Sequence, residues 1–366
     1  MKNTLGNNLQ ISIFGESHGE GVGVVVAGFP SGILIDEKFM KQQMEKRKSK
    51  TSLSTARQEM DEVELISGVF NGVTTGAPCC FYVKNKNQDS KDYEKNKTIM
   101  RPSHVDYAAH IKYQGNQDYR GGGHFSGRLT APLVASGAIA LQYLQNLGIK
   151  IGSHVVQLHD QKDDLFSSEY ETLNKQIDLI SKQGFPVLSE KIKQEFEQKI
   201  EQAKLNQDSV GGIIETAIMQ LPIGLGEPFF DSLESRLAHA VFSIGGVKGV
   251  EFGLGFQFAD QYGSEVNDQM EIINGKVKIK TNNNGGILGG LSTGEPVIMK
   301  TVIKPTASIG KKQKTVDIST NSDVIVELQG RHDPALIYRV SVVVDSLVAL
   351  VVMDCLMEFS ARGAIR

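Results

Sequence analysis

The 366-residue sequence has no tryptophan and only three cysteines, Cys79, Cys80 and Cys355. So sparse and odd a count excludes a disulfide framework, and the paired spacing of a thiolate zinc site is missing. All three sit in apolar stretches, which predicts buried thiols in a reducing, cytoplasmic setting. The formal net charge is only −3, so no global positive field draws the chain to nucleic acid. The start, MKNTLGNNLQISIFG, lacks an apolar run behind a basic segment, and no secretory signal is expected. The longest apolar stretch, 340–353, is broken by Ser341, Asp345 and Ser346. It reads as a buried core helix of a soluble protein with no membrane partner. Neither G-x-G-x-x-G nor G-x-x-x-x-G-K-[ST] occurs, which excludes a nucleotide held in either standard cradle. H-E-x-x-H is also missing, and no metal site is expected although HVD and RHD offer ligand types.

What is present mixes strands and helices along the whole length, with no linker, low-complexity tract or fixed-period repeat. This predicts one α+β domain over 1–366. Strands are expected at 9–14 and 22–27 around a glycine-rich turn, and at 62–70, 78–83, 213–221, 249–258, 271–280 and 297–304. Asn274-Gly275 marks a hairpin within the seventh of these. Helices are expected at 36–48, with Asp36 as N-cap, and at 129–147, stopped by Gly148. A further helix over 187–206 carries a narrow apolar stripe of Ile192, Phe196, Ile200 and Ala203 and reads as a surface helix. The segment 335–358 closes the series.

Glycine is abundant, with 38 residues, and it clusters in GESHGEGVG, RGGGHFSG, SVGG, SIGGVKG and NNNGGILGGLSTG. Glycines make tight turns, and they also let backbone N–H groups approach an anion closely. Several clusters carry cations: Arg120 and Arg128, Lys248, Lys304, and Arg331 in GRHDP. Arginines and lysines on glycine-rich loops suit a polyanionic ligand. His110, His154, His159 and His239 read as structural. His18 and His104 differ, since each is embedded in small, polar or charged residues with no apolar face to pack. A histidine titrates near neutrality, so two in one pocket serve two proton transfers. On residues alone, three readings stay open: a lyase, a phosphoester hydrolase on the same basic pocket, and a flavin- or anion-binding module without catalysis.

Seven segments occur in order: FGESHG, RPSHVDY, DYRGGGHFSGR, SIGGVKGVEFGLGF, NNNGGILGGLSTG, KPTASI and GRHDP. Together the sequence resembles the chorismate synthase family over about residues 5–355. The resemblance implies a β-α-β sandwich, with helices packed between antiparallel sheets, assembled as a homotetramer. It implies an anti 1,4-elimination of phosphate from a small phosphorylated substrate, 5-enolpyruvylshikimate-3-phosphate, giving chorismate for aromatic amino-acid biosynthesis. It also implies a need for reduced FMN (FMNH2) without net redox change, with NADPH as reductant only in bifunctional members. By the same resemblance, His18 protonates the departing phosphate and His104 the reduced flavin. Ser17, Ser126 and Asp333 match a proton relay. Arg47, Arg57, Arg101 and Arg128 match substrate contacts. Flavin contacts match Arg47, His124, Phe125, Ser126, Gly245, Gly246, Gly286, Lys304, Pro305, Thr306, Ala307, Ser308 and Arg331. The sequence departs from the family at Lys46-Arg47-Lys48-Ser49-Lys50, where R-R-x-P-G is usual. It has no arginine in 51–54, and it carries His124 and Leu129 where Arg and Glu are common.

Overall fold

A computed structural model of the chain describes residues 3–48, 61–86, 94, 97–328 and 333–361. The first sheet takes its strands from β1 (Thr4–Leu5), β2 (Gln10–Gly15), β3 (Gly21–Ala27), β4 (Val63–Ser67) and β5 (Cys79–Lys84), in the order β1-β2-β3-β5-β4. The second uses β6 (Lys150–Leu158), β7 (Gln161–Lys162), β8 (Gly212–Met219), β9 (Val247–Phe252) and β10 (Val297–Ile303), in the order β9-β10-β8-β6-β7. Every pairing within the two sheets is antiparallel.

Between the sheets lie two apolar helices, α3 (Thr130–Asn146) and α7 (Ile337–Ala361), which pack on each other. Helix α3 covers β3 and β5, and α7 covers β6 and β8. Both faces of these helices meet protein, so neither shows a polar stripe. Small residues let them approach: a Cβ at Gly137 would lie 2.3 Å from that of Ser346. Helix α7 is apolar and long enough to cross a membrane by composition, yet 89% of its most apolar stretch is buried inside the fold. The sandwich implied by the resemblance is therefore the observed fold. Cys79 and Cys355 are buried free thiols, as their apolar settings predict, whereas Cys80 is only half-buried.

The capping expectation for α1 (Glu37–Arg47) holds, since the Asp36 side chain accepts from the Phe39 N–H at 2.9 Å. Shorter helices complete the set: α2 (Asp106–Lys112), α4 (Tyr170–Ile180), α5 (Glu190–Leu205) and α6 (Leu233–Phe242). Phe196, Ile200 and Ala203 form the buried face of α5. Asn274 and Gly275, both at positive φ, turn the hairpin between Met270–Ile273 and Lys276–Ile279. Two expectations need correction. The strand expected over 249–258 ends at Phe252, where Gly253 and Gly255 take positive φ and the chain enters a 3-10 turn. The strand expected over 62–70 is broken by Gly68 at φ +83°.

Helix α7 also ties down the start of the chain. Asp354 accepts from the backbone N–H groups of Asn7 (2.8 Å), Asn8 (2.7 Å) and Leu9 (2.7 Å) and pairs with Arg236.

His154 lies on β6, fully buried, with Nε2 3.0 Å from Glu215 and Nδ1 3.6 Å from Asp163. Burial alone would discharge the ring, but the Asp163 and Glu215 carboxylates outweigh it and raise its pKa above 6.5. The stabilisation from the charged ring is complete below that free-histidine value and is lost as pH rises through the raised folded-state pKa. Urea midpoints should therefore fall as pH rises above about 6.5, and His154→Asn should flatten the fall. An equal fall in the variant would show that another group causes it.

Candidate active site

The loop carrying His18 is the turn between β2 and β3, and it is clamped by a second glycine loop, Arg120–Phe125. The Ser17 N–H donates to the Gly123 carbonyl at 3.1 Å. The His124 ring Nδ1 meets the Gly15 carbonyl at 2.8 Å. Gly121, Gly122 and Gly123 all take positive φ, of 60°, 86° and 54°. The contact explains the glycines: a Cβ at Gly121 would lie 2.3 Å from His18 Cε1 and 2.9 Å from Ser17 Oγ. One at Gly122 would lie 3.9 Å from both His104 Nε2 and Ser126 Cβ. His18, Ser17, His104 and Ser126, which come from three separate segments, thus meet on this bare stretch of backbone. His18 is buried, 4% exposed. Asp118 lies close enough to feel its charge. Burial works to raise the Asp118 carboxyl, but hydrogen bonds from Arg120, with the Arg120 and His18 charges, hold it below its ordinary value.

His104 is held from its other side. Its Nδ1 is 2.6 Å from Asp106 Oδ1, and Arg101 grips the same carboxylate through Nε (2.7 Å) and Nη2 (2.8 Å). The same Nδ1 also lies 3.0 Å from Arg101 Nη2, and the ring's Nε2 edge faces Gly122. Burial pushes the Asp106 carboxyl up, but the hydrogen bonds and charges of Arg101 and His104 win and hold it far below the usual range.

The loop after β10 closes this side. Lys304 Nζ donates to the Ser103 carbonyl (2.5 Å), and its N–H donates to the Gly246 carbonyl (2.9 Å). Arg101 reaches Ser308 Oγ at 3.4 Å, and Ser209 Oγ donates to the Thr306 carbonyl at 2.8 Å. Burial, then the nearby Lys248 charge, lowers the Lys304 pKa. Thr306 Oγ1 is buried and has no hydrogen-bond partner among the described residues. A Cβ at Gly245 would meet nothing within 4 Å, and Pro305 packs against Gly211. Ala307 is half-buried between Thr306 and Ser308.

On the other side, Asp61 bridges two guanidiniums, Arg47 at 3.0 Å and Arg128. Arg339 Nε donates to the Arg47 carbonyl (2.8 Å), and its Nη1 pairs with Asp333 (2.5 Å). Asp333 Oδ1 is buried without a hydrogen bond among the described residues. Burial raises the Asp333 pKa against the opposing Arg339 charge.

The sequence that carries these residues is similar to known proteins. A family model described as chorismate synthase matches residues 9–357. The chain belongs to the chorismate synthase family. It is 42% identical to the chorismate synthase of Korarchaeum cryptofilum, with 98% of each chain covered. It is 43% identical to that of Pyrococcus abyssi, covering 96% of this chain and 97% of the relative. Among solved structures, "Crystal Structure of Chorismate Synthase" matches with a TM-score of 0.74 at 27% identity, covering 96% of this chain and 92% of that one. Chorismate synthases are carbon–oxygen lyases, so the chain is an enzyme of that class.

Not every residue that resembles a chorismate synthase site residue falls in this cluster. Gly286 packs against Pro296, before the start of β10, whereas Lys304 follows its end. The seven residues of that strand separate them by roughly 20 Å. Phe125 is half-exposed and tilts against Tyr113, with ring centroids 6.3 Å apart. Arg57, Arg331 and Ser49 lie outside the described residues. The sequence reading missed Asp61, Asn85, Asp118 and Arg339. Asp118 stands two residues before Arg120, and Arg339 stands six after Asp333, so local spacing offered a signal for both. Asp61 and Asn85 act across long sequence separations and left none.

Proposed function

We propose that the chain catalyses the anti 1,4-elimination of phosphate from 5-enolpyruvylshikimate-3-phosphate to give chorismate, as a cytoplasmic homotetramer. The observation that carries this reading is the meeting of His18 and His104 on the Gly121–Gly123 backbone, with arginines on both flanks. An elimination of phosphate needs a proton for the leaving group, which a buried histidine beside arginines can supply, and a separate route for the ring proton.

The residues also fit reduced FMN. Lys304 and Lys248 repel each other, a pairing that a flavin phosphate would relieve. The Thr306 hydroxyl, without a hydrogen-bond partner among the described residues, and the open space over Gly245 add a donor and room for backbone approach. Lys304, Pro305, Thr306, Ala307 and Ser308 would hold the phosphate, with Gly245, Gly246, His124 and Ser126 near the ring system. When bound, the reduced flavin supplies electron density transiently and recovers it, so the reaction has no net redox change.

The protein's own work is then orientation and proton handling. Arg47, Arg101 and Arg128 bind the phosphate and carboxylates of the substrate. His18 gives its proton to the departing phosphate oxygen, and the arginine shell stabilises the charge that grows there. His104, held at Nδ1 by Asp106 and Arg101, would present a proton from Nε2 to the reduced flavin. Ser17, Ser126 and the partly desolvated Asp333 carry the ring proton away. Anaerobic assay with dithionite-reduced FMN should release phosphate and chorismate in equal amounts. Release of neither would overturn the reading, and phosphate release without flavin would favour a hydrolase instead. Replacing dithionite with NADPH tests for an intrinsic flavin reductase.

A further inference from the structure

We infer that Asn85 is a positioning residue that fixes His18 relative to the substrate-binding arginines. The inference rests on the proton-donor role proposed for His18. Asn85 directly follows β5, and its backbone N–H donates to the Glu20 carbonyl at 3.0 Å. The sheet therefore sets where this residue stands. Its side-chain Nδ2 donates to two carbonyls of the His18 loop, Glu16 at 3.0 Å and Gly19 at 2.9 Å. Its Oδ1 accepts from Arg128 Nε at 3.1 Å. The amide has one orientation only, because a guanidinium has no acceptor and a carbonyl has no donor. A single amide thus spends both N–H groups on the loop that carries Ser17 and His18 and its oxygen on Arg128. Arg128 leads on through Asp61 to Arg47.

Asn85 touches neither imidazole and works through them. Asn85→Asp keeps the shape and the acceptor for Arg128, but it turns a carboxylate oxygen toward two carbonyl oxygens. Misplacing a reacting group by about 1 Å costs on the order of 100-fold in rate. The Asp variant should therefore lose about 10- to 100-fold in kcat, with substrate KM within about threefold, because the arginine contact survives. Asn85→Ser, which also releases Arg128, should lose kcat and raise KM. In a His18→Gln background, the Asp change should cost less than about twofold, since the group it positions is gone. Wild-type kcat in Asn85→Asp, or the same fold-loss in both backgrounds, would overturn the inference. If the Asp variant does not fold, the Ser variant decides by the kcat loss alone, which should shrink in the His18→Gln background while its KM rise through Arg128 persists in both. No turnover by the wild type overturns the proposed reaction and this inference together, whereas an active wild type indifferent to Asn85 overturns the inference alone.

Discussion

His18→Gln is expected to lower kcat by about 10²- to 10⁴-fold, the usual worth of a positioned general acid, while substrate KM changes little. The ring is buried at 4% exposure, under the Gly121 backbone and within the field of Asp118. Glutamine fills similar space and still donates a hydrogen bond, but it cannot deliver a proton. Binding survives in the variant because the arginines and glycine loops are untouched, so the loss falls on the chemical step. Thermal melting should stay within a few degrees of wild type, which separates lost chemistry from lost fold. A His18→Gln enzyme with kcat within threefold of wild type would remove His18 from the proton-donor role.

Gly121→Ala should inactivate the enzyme nearly as fully, although it adds one methyl group and removes nothing. The new Cβ would stand 2.3 Å from His18 Cε1 and 2.4 Å from Nδ1, at a backbone φ of +60°. Real atoms do not approach so closely, so the His18 loop or the glycine loop must move. The shift is on the order of 1 Å, and losses of about 100-fold or more in kcat follow from misalignment of that size. Strain at positive φ adds about 1 kcal/mol of destabilisation. Gly184→Ala is the control, since its Cβ meets nothing within 4 Å; it should retain full activity. A Gly121→Ala enzyme with wild-type turnover would mean that the two loops are not locked together in the working protein.

Local signals in the sequence read out well in the fold. Asp36 caps α1, Asn274-Gly275 turns its hairpin, and the Ala- and Leu-rich run at 130–146 is the central α3. Strand β6 stayed hidden because Gly152, Ser153 and His154 interrupt its apolar pattern. Their partners are distant in sequence: Ser153 bonds Thr216 (2.7 Å) and Asp345 (2.5 Å), and His154 meets Asp163 and Glu215. The candidate site divides in the same way. His18, His104 and the glycine loops were legible because chemistry and turn geometry restrict residue type over a few positions. Asp61 and Asn85 were not, because a carboxylate bridging two arginines, or an amide pinning a loop, is defined only by what the folded chain brings to it.

The three backbone N–H groups gathered by Asp354 bear on how the molecule is made. The segment between β1 and β2 is made long before α7, yet the carboxylate that anchors it lies more than 340 residues later, on that helix. Until that helix is made, the inner face of the second sheet lacks its apolar cover and α3 lacks the helix it packs on. A nascent chain at this stage exposes strand surfaces prone to pairing with other chains. Folding should therefore finish late and in one cooperative step, only after residues 337–361 have been made.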